Sequence, residues 1–151
     1  ELWAAFMALY DEFPDWELHC IGTGELWDSR AIHPKIIHHG FKQPRELEPH
    51  LVDAACFVMP SKMEPWGVVL HEMAIAGLPL LAPVEIGASC QFLQPQVNGL
   101  NFKPTAQGIH DALLGFLRLS SEDLTQMGAK SRSLASTQTS EKWVHTLLAL
   151  V

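Results

Sequence analysis

Two glutamates, Glu64 and Glu72, lie eight positions apart on either side of a short segment that contains a proline, a tryptophan and a glycine. The pattern predicts a buried strand that ends at Pro60 and a helix that begins at Gly67, so Glu64 falls in the connecting loop and Glu72 inside the helix. The first backbone amides of such a helix have no partner within it and carry the positive end of its dipole. An anion site between two carboxylates predicts a ligand with hydroxyls, a diphosphate and more hydroxyls.

The residues between the two glutamates suit this chemistry. Pro65 has a fixed φ and lacks an amide hydrogen, which is favourable at the entry to a helix. Gly67 permits a close approach of the backbone to a ligand. We expect the amides of Trp66, Gly67 and Val68 to donate to the anion. A simpler interpretation is that both glutamates are surface acids at a helix start, with Trp66 an aromatic on the rim of the core.

Alternating strands and helices are expected to position this segment. The strands are predicted at residues 16–21, 35–39, 54–59, 78–83 and 99–102. The helices are predicted at residues 1–13, 44–50 with a break at Pro49, 67–76, 105–119, 121–135 and 140–151. This order indicates a Rossmann-like α/β fold with a doubly wound parallel sheet, in which ligands bind beyond the carboxyl ends of the strands. The loops at residues 22–26, 40–43, 60–67 and 83–91 should therefore form the binding site.

The composition indicates one domain over residues 1–151, with enough apolar residues for a single core. The net charge of −7 argues against nucleic acid or an anionic membrane as the main partner, although helix amides still suit a small anion. Cys20, Cys56 and Cys90 form no CxxC pair, so we expect buried or semi-buried free thiols in a reducing, cytoplasmic compartment. A helical pattern that begins abruptly at Glu1 predicts a fragment of a longer chain.

The histidines do not predict a metal site. His33, His38 and His39 lie near one another in the sequence, but no His-x3-His or cysteine pair supports zinc. We therefore expect no metal ligands. His71 is interpreted as a half-exposed helix residue, with a place in the lining of the cleft as the alternative. Ser61 is interpreted as a turn residue, because no nucleophile motif surrounds it.

The segment Glu-Pro-Trp-Gly-Val-Val-Leu-His-Glu follows a strand that ends in Pro-Ser and precedes Ala-Gly-Leu-Pro. In this form it resembles the signature of family-4-type retaining glycosyltransferases, which have the two-domain GT-B fold. The resemblance covers essentially the whole chain, with similar motifs at residues 21–26, 39–41, 87–88 and 98–100. Gln91 stands where the family usually has an acid. The chain is thus similar to the C-terminal, nucleotide-sugar-binding domain of these enzymes, without the first strand of that domain.

The resemblance implies a role for each candidate residue. Glu64 would contact the donor sugar at the reacting face, and Glu72 would hold the ribose hydroxyls. Phe41 would contact the base. The other donor-binding residues would be Trp66, Gly67 and Val68 through their amides, together with Gly22 and Gly87 in the flanking loops. The alternative interpretation of Gly22 and Gly87 is that both are ordinary turn or loop residues without a ligand.

The family also implies partners and cofactors. The donor would be a nucleotide-diphosphate sugar. Its sugar would be transferred to a hydroxyl with retention of the anomeric configuration, and without a bound metal or another cofactor. An N-terminal acceptor domain, and a first strand followed by an arginine and a lysine for the diphosphate, would precede Glu1. Without them we expect weak donor binding, no transfer, and self-association through an open strand edge. The full-length enzyme would be cytoplasmic or lie at the inner membrane face.

The sequence is also compatible with three other functions. One is a non-catalytic module that binds a nucleotide or a nucleotide sugar on the same fold. Another is a GT-B relative such as an epimerase or a phosphorylase, which would need a cofactor lysine or a second pair of acids in the cleft. The last is a flavodoxin-like scaffold that binds no ligand.

Overall fold

The computed structural model describes residues 1–149, in which helices and strands alternate. The helices are α1 (Leu2–Leu9), α2 (Glu48–Leu51), α3 (Val68–Ala76), α4 (Ser89–Phe92), α5 (Ala106–Leu117), α6 (Ser121–Ala135) and α7 (Ser140–Leu148). The strands are β1 (Leu18–Ile21), β2 (Ile36–Gly40), β3 (Phe57–Val58), β4 (Leu80–Pro83) and β5 (Gly99–Phe102). Leu150 and Val151, the end of the helix predicted at residues 140–151, lie outside the described residues. No helix within residues 1–149 has the length and apolar character needed to cross a membrane.

The predicted α/β class with parallel strands is confirmed, and the chain forms two compact units. The first unit comprises Glu1–Ala54 and Thr105–Arg118, and its sheet contains β1 and β2. The second comprises Ala55–Pro104 and the chain from Leu119 onward, and its sheet has the order β3-β4-β5. One sheet was expected, but the described strands form two, because β1 pairs only with β2 and β3 only with β4 among them.

Some predicted boundaries differ from the structure for local reasons. The helix predicted at residues 44–50 breaks at Leu47, between a 3₁₀ turn (Pro44–Glu46) and α2. The expected break at Pro49 is wrong, because a proline in the first turn of a helix loses no intrahelical hydrogen bond. The loop-rich segment at residues 85–98 contains α4, which is too short for helical periodicity to show. The strand predicted at residues 54–59 is shortened to Phe57–Val58, although the N–H of Met59 also donates to the carbonyl oxygen of Leu81 at 2.8 Å.

In the first unit, α1 packs against α5, and its Trp3 donates to Cys20 Sγ of β1 at 3.4 Å. Phe6 and Leu9 of α1 are nearly fully buried, as their helical spacing predicts, and Phe116 of α5 has no exposed surface. Trp3 of α1 meets His38 of β2 edge to face, with ring centroids 5.5 Å apart. Burial alternates along β1, so the side chain of His19 is exposed.

In the second unit, Leu80, Leu81 and Ala82 of β4 have no exposed surface, as expected for a strand between two parallel neighbours. Gly77 ends α3 with a φ of 87°, which confirms the predicted glycine stop. A Cβ at Gly128 of α6 would lie 2.3 Å from the carbonyl oxygen of Gly77, so α3 and α6 approach through glycine. The sheet and α6 together hold α3, whose first turn follows the carboxyl end of β3.

Candidate functional site

The Glu64 loop, residues 60–67, connects β3 to α3 and contains the first predicted carboxylate. Glu64 is half-buried, and its Oε1 accepts a hydrogen bond from the backbone N–H of Trp66 at 3.4 Å. A hydrogen bond of this length is weak. The Glu64 carboxylate therefore faces the backbone at the start of α3. A stronger hydrogen-bond donor would displace only this weak bond from Trp66.

Gly67 is the N-cap of α3, and only glycine suits both its backbone and its surroundings. Its φ of 86° and ψ of 62° lie in the left-handed region. A Cβ at this position would lie 3.0 Å from Ile86 Cγ2, 3.1 Å from Met59 Cε and 3.3 Å from Glu64 Cγ. Gly67 thus turns the chain into the helix where no side chain fits.

The N–H groups of Gly67, Val68 and Val69 have no hydrogen-bond partner within residues 1–149. Such open donors are usual at a helix start, where the dipole adds a partial positive charge. The set differs by one residue from the predicted one, because the N–H of Trp66 donates to Glu64. The left-handed conformation of Gly67 moves the first helical residue to Val68, so the N–H groups without a partner extend to Val69.

Glu72 lies one helical turn beyond Val68, on the same exposed face of α3. Four helical residues correspond to about 6 Å along the axis, and helical side chains lean toward the N-terminus. The opposite face contains Leu70, Met73 and Ala74, which are buried. Glu72 is therefore on the exposed face of α3, one turn after the open amides.

The Gly87 loop, residues 84–88, is hydrogen-bonded directly to the Glu64 loop. The N–H of Ala88 donates to the carbonyl oxygen of Trp66 at 2.8 Å. A Cβ at Gly87 would lie 2.5 Å from the carbonyl oxygen of Pro65 and 3.1 Å from Trp66 Cε3. The structure thus brings Gly87 against the Glu64 loop, and the close backbone approach gives a reason for glycine here. Trp66 is 46% exposed, which fits an aromatic on the rim of the core.

Gly22 and Phe41 lie in the first unit, at the carboxyl ends of β1 and β2. The N–H of Gly22 donates to the carbonyl oxygen of Gly40 at 2.7 Å, so Gly22 lies beside the residue that precedes Phe41. Gly22 has a φ of 116°, and no atom lies within 4 Å of a Cβ built there. Phe41 is 67% exposed. These two candidates are therefore neighbours, whereas the other six lie in the second unit.

His71 is held within the second unit. Its imidazole stacks on the ring of Phe92 with centroids 4.1 Å apart and an interplanar angle of 7°. Its Nε2 lies 3.2 Å from the carbonyl oxygen of Ala135, at the end of α6. With these partners His71 joins α3, α4 and α6, and we assign it a packing role.

The structure also groups side chains that the sequence analysis did not connect. His19, His39 and His50 of the first unit place one ring nitrogen each within 4.8 Å of the others. Proximity along the chain instead pointed to His33, His38 and His39. The observed group comes from β1, β2 and α2, and local spacing gives no signal for such a set.

Residues 1–118 match the family described as glycosyl transferases group 1. The matched span contains the Glu64 loop, the Gly87 loop, Gly22 and Phe41, and therefore every candidate residue named above. No curated protein sequence matches the chain.

Solved structures share its fold. TarM from S. aureus matches with a TM-score of 0.81 at 18% identity, over 97% of this chain and 31% of that one. The pneumococcal O-GlcNAc transferase GtfA, solved with UDP and GlcNAc, matches with a TM-score of 0.78 at 20% identity, over 98% and 32%. The C-terminal domain of LpcC, a glycosyl transferase group 1 family protein from Francisella tularensis, gives 0.74 at 22%, over 89% and 75%. The chain thus spans about a third of TarM and of GtfA.

Proposed function

Because the chain belongs to the glycosyl transferases group 1 family and has the fold of a GT-B C-terminal domain, we propose that it holds the donor in a retaining glycosyl transfer. The donor is a nucleotide-diphosphate sugar, and the acceptor is a hydroxyl group bound by an N-terminal domain of the full-length enzyme. The observation that supports this most is the start of α3, where open amides come after Glu64 and before Glu72 along the chain.

Cleavage of the glycosidic bond in such a donor leaves negative charge on the diphosphate. The N–H groups of Gly67, Val68 and Val69 are held in place by α3, so they need no rearrangement to meet that charge. The helix dipole adds to their effect. In this proposal the amides, with basic side chains of the full-length enzyme, neutralise the leaving group, and no metal or other cofactor takes part.

The two carboxylates serve the two ends of the donor. Glu64 exchanges its weak hydrogen bond from Trp66 N–H for a hydroxyl of the donor sugar, next to the reacting carbon. Glu72, on the exposed face of α3, accepts hydrogen bonds from the ribose hydroxyls. Gly87 supports the Glu64 loop and lets the backbone approach the sugar.

We keep Gly22 and Phe41 of the first unit as candidate contacts for a nucleoside. Gly22 and Phe41 are exposed at the carboxyl ends of two parallel strands, where ligands bind in α/β sheets. Phe41 offers an aromatic surface and backbone groups to the base, and Gly22 leaves room beside it. The UDP in the GtfA structure supports a nucleoside diphosphate as the ligand class.

Titration calorimetry of the chain with UDP and GDP tests the proposal. We expect at least one of them to bind, and Glu72→Gln to weaken that binding about 10-fold, since a hydrogen bond to a charged group is lost. Glu122→Gln is the matched control, because Glu122 is an exposed helical glutamate of the second unit that lies in α6. The proposal fails if the folded chain binds neither nucleotide, or if both variants weaken binding equally.

A further inference from the structure

The first unit contains a group of three imidazoles that the proposed function does not use. His19 lies in β1, His39 in β2 and His50 in α2. His39 Nε2 lies 2.9 Å from His19 Nδ1, and the rings of His39 and His50 have centroids 4.2 Å apart. One ring nitrogen from each histidine lies within 4.8 Å of the other two. Three neutral imidazoles at this spacing are a ligand set for a transition metal ion.

The parallel pairing of β1 and β2 explains why two of these histidines meet. His19 pairs with Ile37, and side-chain alternation places His39 on the same face of β2 as Ile37. The register then shifts, since Cys20 pairs with His38 but Ile21 pairs with Gly40, and His39 has no partner across the ladder. His19 and His39 thus share one face of the sheet, while Cys20 and His38, which contact Trp3 of α1, lie on the other.

A carboxylate orients one of the three rings. Glu17 Oε2 lies 3.2 Å from His19 Nε2, while Glu17 Oε1 accepts a hydrogen bond from Lys35 Nζ at 3.1 Å. An ionised carboxylate only accepts, so His19 Nε2 carries the proton and Nδ1 presents its lone pair toward His39. A carboxylate that holds the far nitrogen of an imidazole is the usual outer partner of a metal-bound histidine.

The spacing of the nitrogens fits coordination as well as hydrogen bonding. With metal–nitrogen bonds of about 2.0–2.1 Å, two ligands on one ion lie roughly 2.9–3.4 Å apart, depending on the angle between them. The 2.9 Å separation of His19 Nδ1 and His39 Nε2 falls at the lower end of that range. His39 then carries its proton on Nδ1 when the ion is bound, and a small movement of the α2 segment brings His50 to the third position.

We propose that His19, His39 and His50 bind one divalent transition metal ion, such as Zn²⁺ or Ni²⁺, with water at the remaining positions. A set of imidazoles alone selects these ions over Mg²⁺ and Ca²⁺, which prefer oxygen ligands. His39 and His50 lie immediately before and after residues 40–49. An ion bound by both of them and by His19 therefore links that segment to β1. The three ligands all belong to the first unit, and the proposal does not depend on the proposed function.

Equilibrium dialysis of the chelator-treated chain against ZnCl₂, and against NiCl₂, tests this site. We expect one ion per chain, and at least a 10-fold loss of affinity in His39→Gln and in His50→Gln. Glu17→Gln should weaken binding by a smaller factor, because it removes only the orienting carboxylate. His110→Gln is the matched control, since His110 lies in the same unit, 3.2 Å from the carboxylate of Asp111. It should bind as the unaltered chain does.

Ring ¹H–¹⁵N NMR of the unaltered chain locates the ion without relying on any variant. The resonances of His19, His39 and His50 should change first as Zn²⁺ is added, while those of His110 and His71 should not. The proposal is overturned if the chain binds no zinc below about 1 mM, if other histidines respond first, or if His110→Gln lowers affinity as much as His50→Gln.

Discussion

Glu64 and Trp66 are joined by a hydrogen bond of 3.4 Å between the side-chain carboxylate and the backbone N–H two residues later. This relationship accounts for both interpretations of Glu64 from the sequence. The carboxylate stabilises the entry to α3, as a surface acid at a helix start does. The bond is nevertheless long enough to exchange for a ligand hydroxyl at small cost. A carboxylate held this way is available to a sugar at the start of the helix.

Glu64→Gln in the full-length enzyme should lower turnover far more than donor affinity. Loss of an electrostatic contact to the transition state typically costs roughly 10²–10³ in rate, and the amide still fits the loop. Steady-state kinetics would separate kcat from KM, with Glu122→Gln as the control that retains normal turnover. An unchanged kcat for Glu64→Gln would remove Glu64 from the reaction.

Gly67→Ala should destabilise the protein by about 1–3 kcal/mol, because alanine is strained at a φ of 86° and its Cβ would crowd Ile86 and Met59. The free energy of unfolding in urea measures this. Gly24→Ala is the control, since no atom lies within 4 Å of a Cβ at Gly24. It should change stability by less than about 0.5 kcal/mol. Equal effects of both changes would mean that Gly67 is not constrained as described.

Gly87→Ala should displace the Glu64 loop, because its Cβ would lie 2.5 Å from the carbonyl oxygen of Pro65. We expect the backbone resonances of Trp66 and Ala88 to shift strongly, since the hydrogen bond between them has to lengthen. Nucleotide-sugar turnover in the full-length enzyme should fall with them. A spectrum that changes only at residue 87 and its chain neighbours would show that the two loops are not in contact.

The cysteines should react with iodoacetamide in a defined order. Burial raises the pKa of the Cys56 thiol to about 12, and burial also raises the pKa of Cys20, although the indole N–H of Trp3 opposes the rise. Because the thiolate is the reactive form, roughly one Cys56 in 10⁴ is reactive at pH 8. Exposed Cys90 should be modified first and Cys56 last. Peptide mass spectrometry over time measures this order, and a Cys56 that reacts as fast as Cys90 would contradict it.

Local signals predicted the elements that local interactions determine. The helix Ser121–Ala135 has the predicted bounds, because Ser120 and Asp123 form a capping box at its start. Gly77 ends α3 for an equally local reason. The open amides at the start of α3 extend one residue further than expected, to Val69, since the left-handed φ of Gly67 could not be known from residue type alone.

Contacts between residues that are far apart in the chain could not be predicted from the sequence. The contact between Gly87 and the carbonyl oxygen of Pro65 depends on the packing of two loops far apart in sequence. The meeting of His19 with His39 depends on the register between β1 and β2, and a shift of one residue would separate their side chains. Hydrophobic periodicity identifies such strands but does not determine their register.

Backbone ¹H–¹⁵N NMR of the chain during titration with UDP, GDP and pyrophosphate tests most directly whether the start of α3 binds a diphosphate. The proposed function predicts saturable shifts at the amides of Gly67, Val68 and Val69 with at least one of these ligands, and none of that size with uridine or guanosine. If these three amides stay unchanged while a diphosphate binds elsewhere, or if the nucleosides shift them equally, the proposed donor site is wrong.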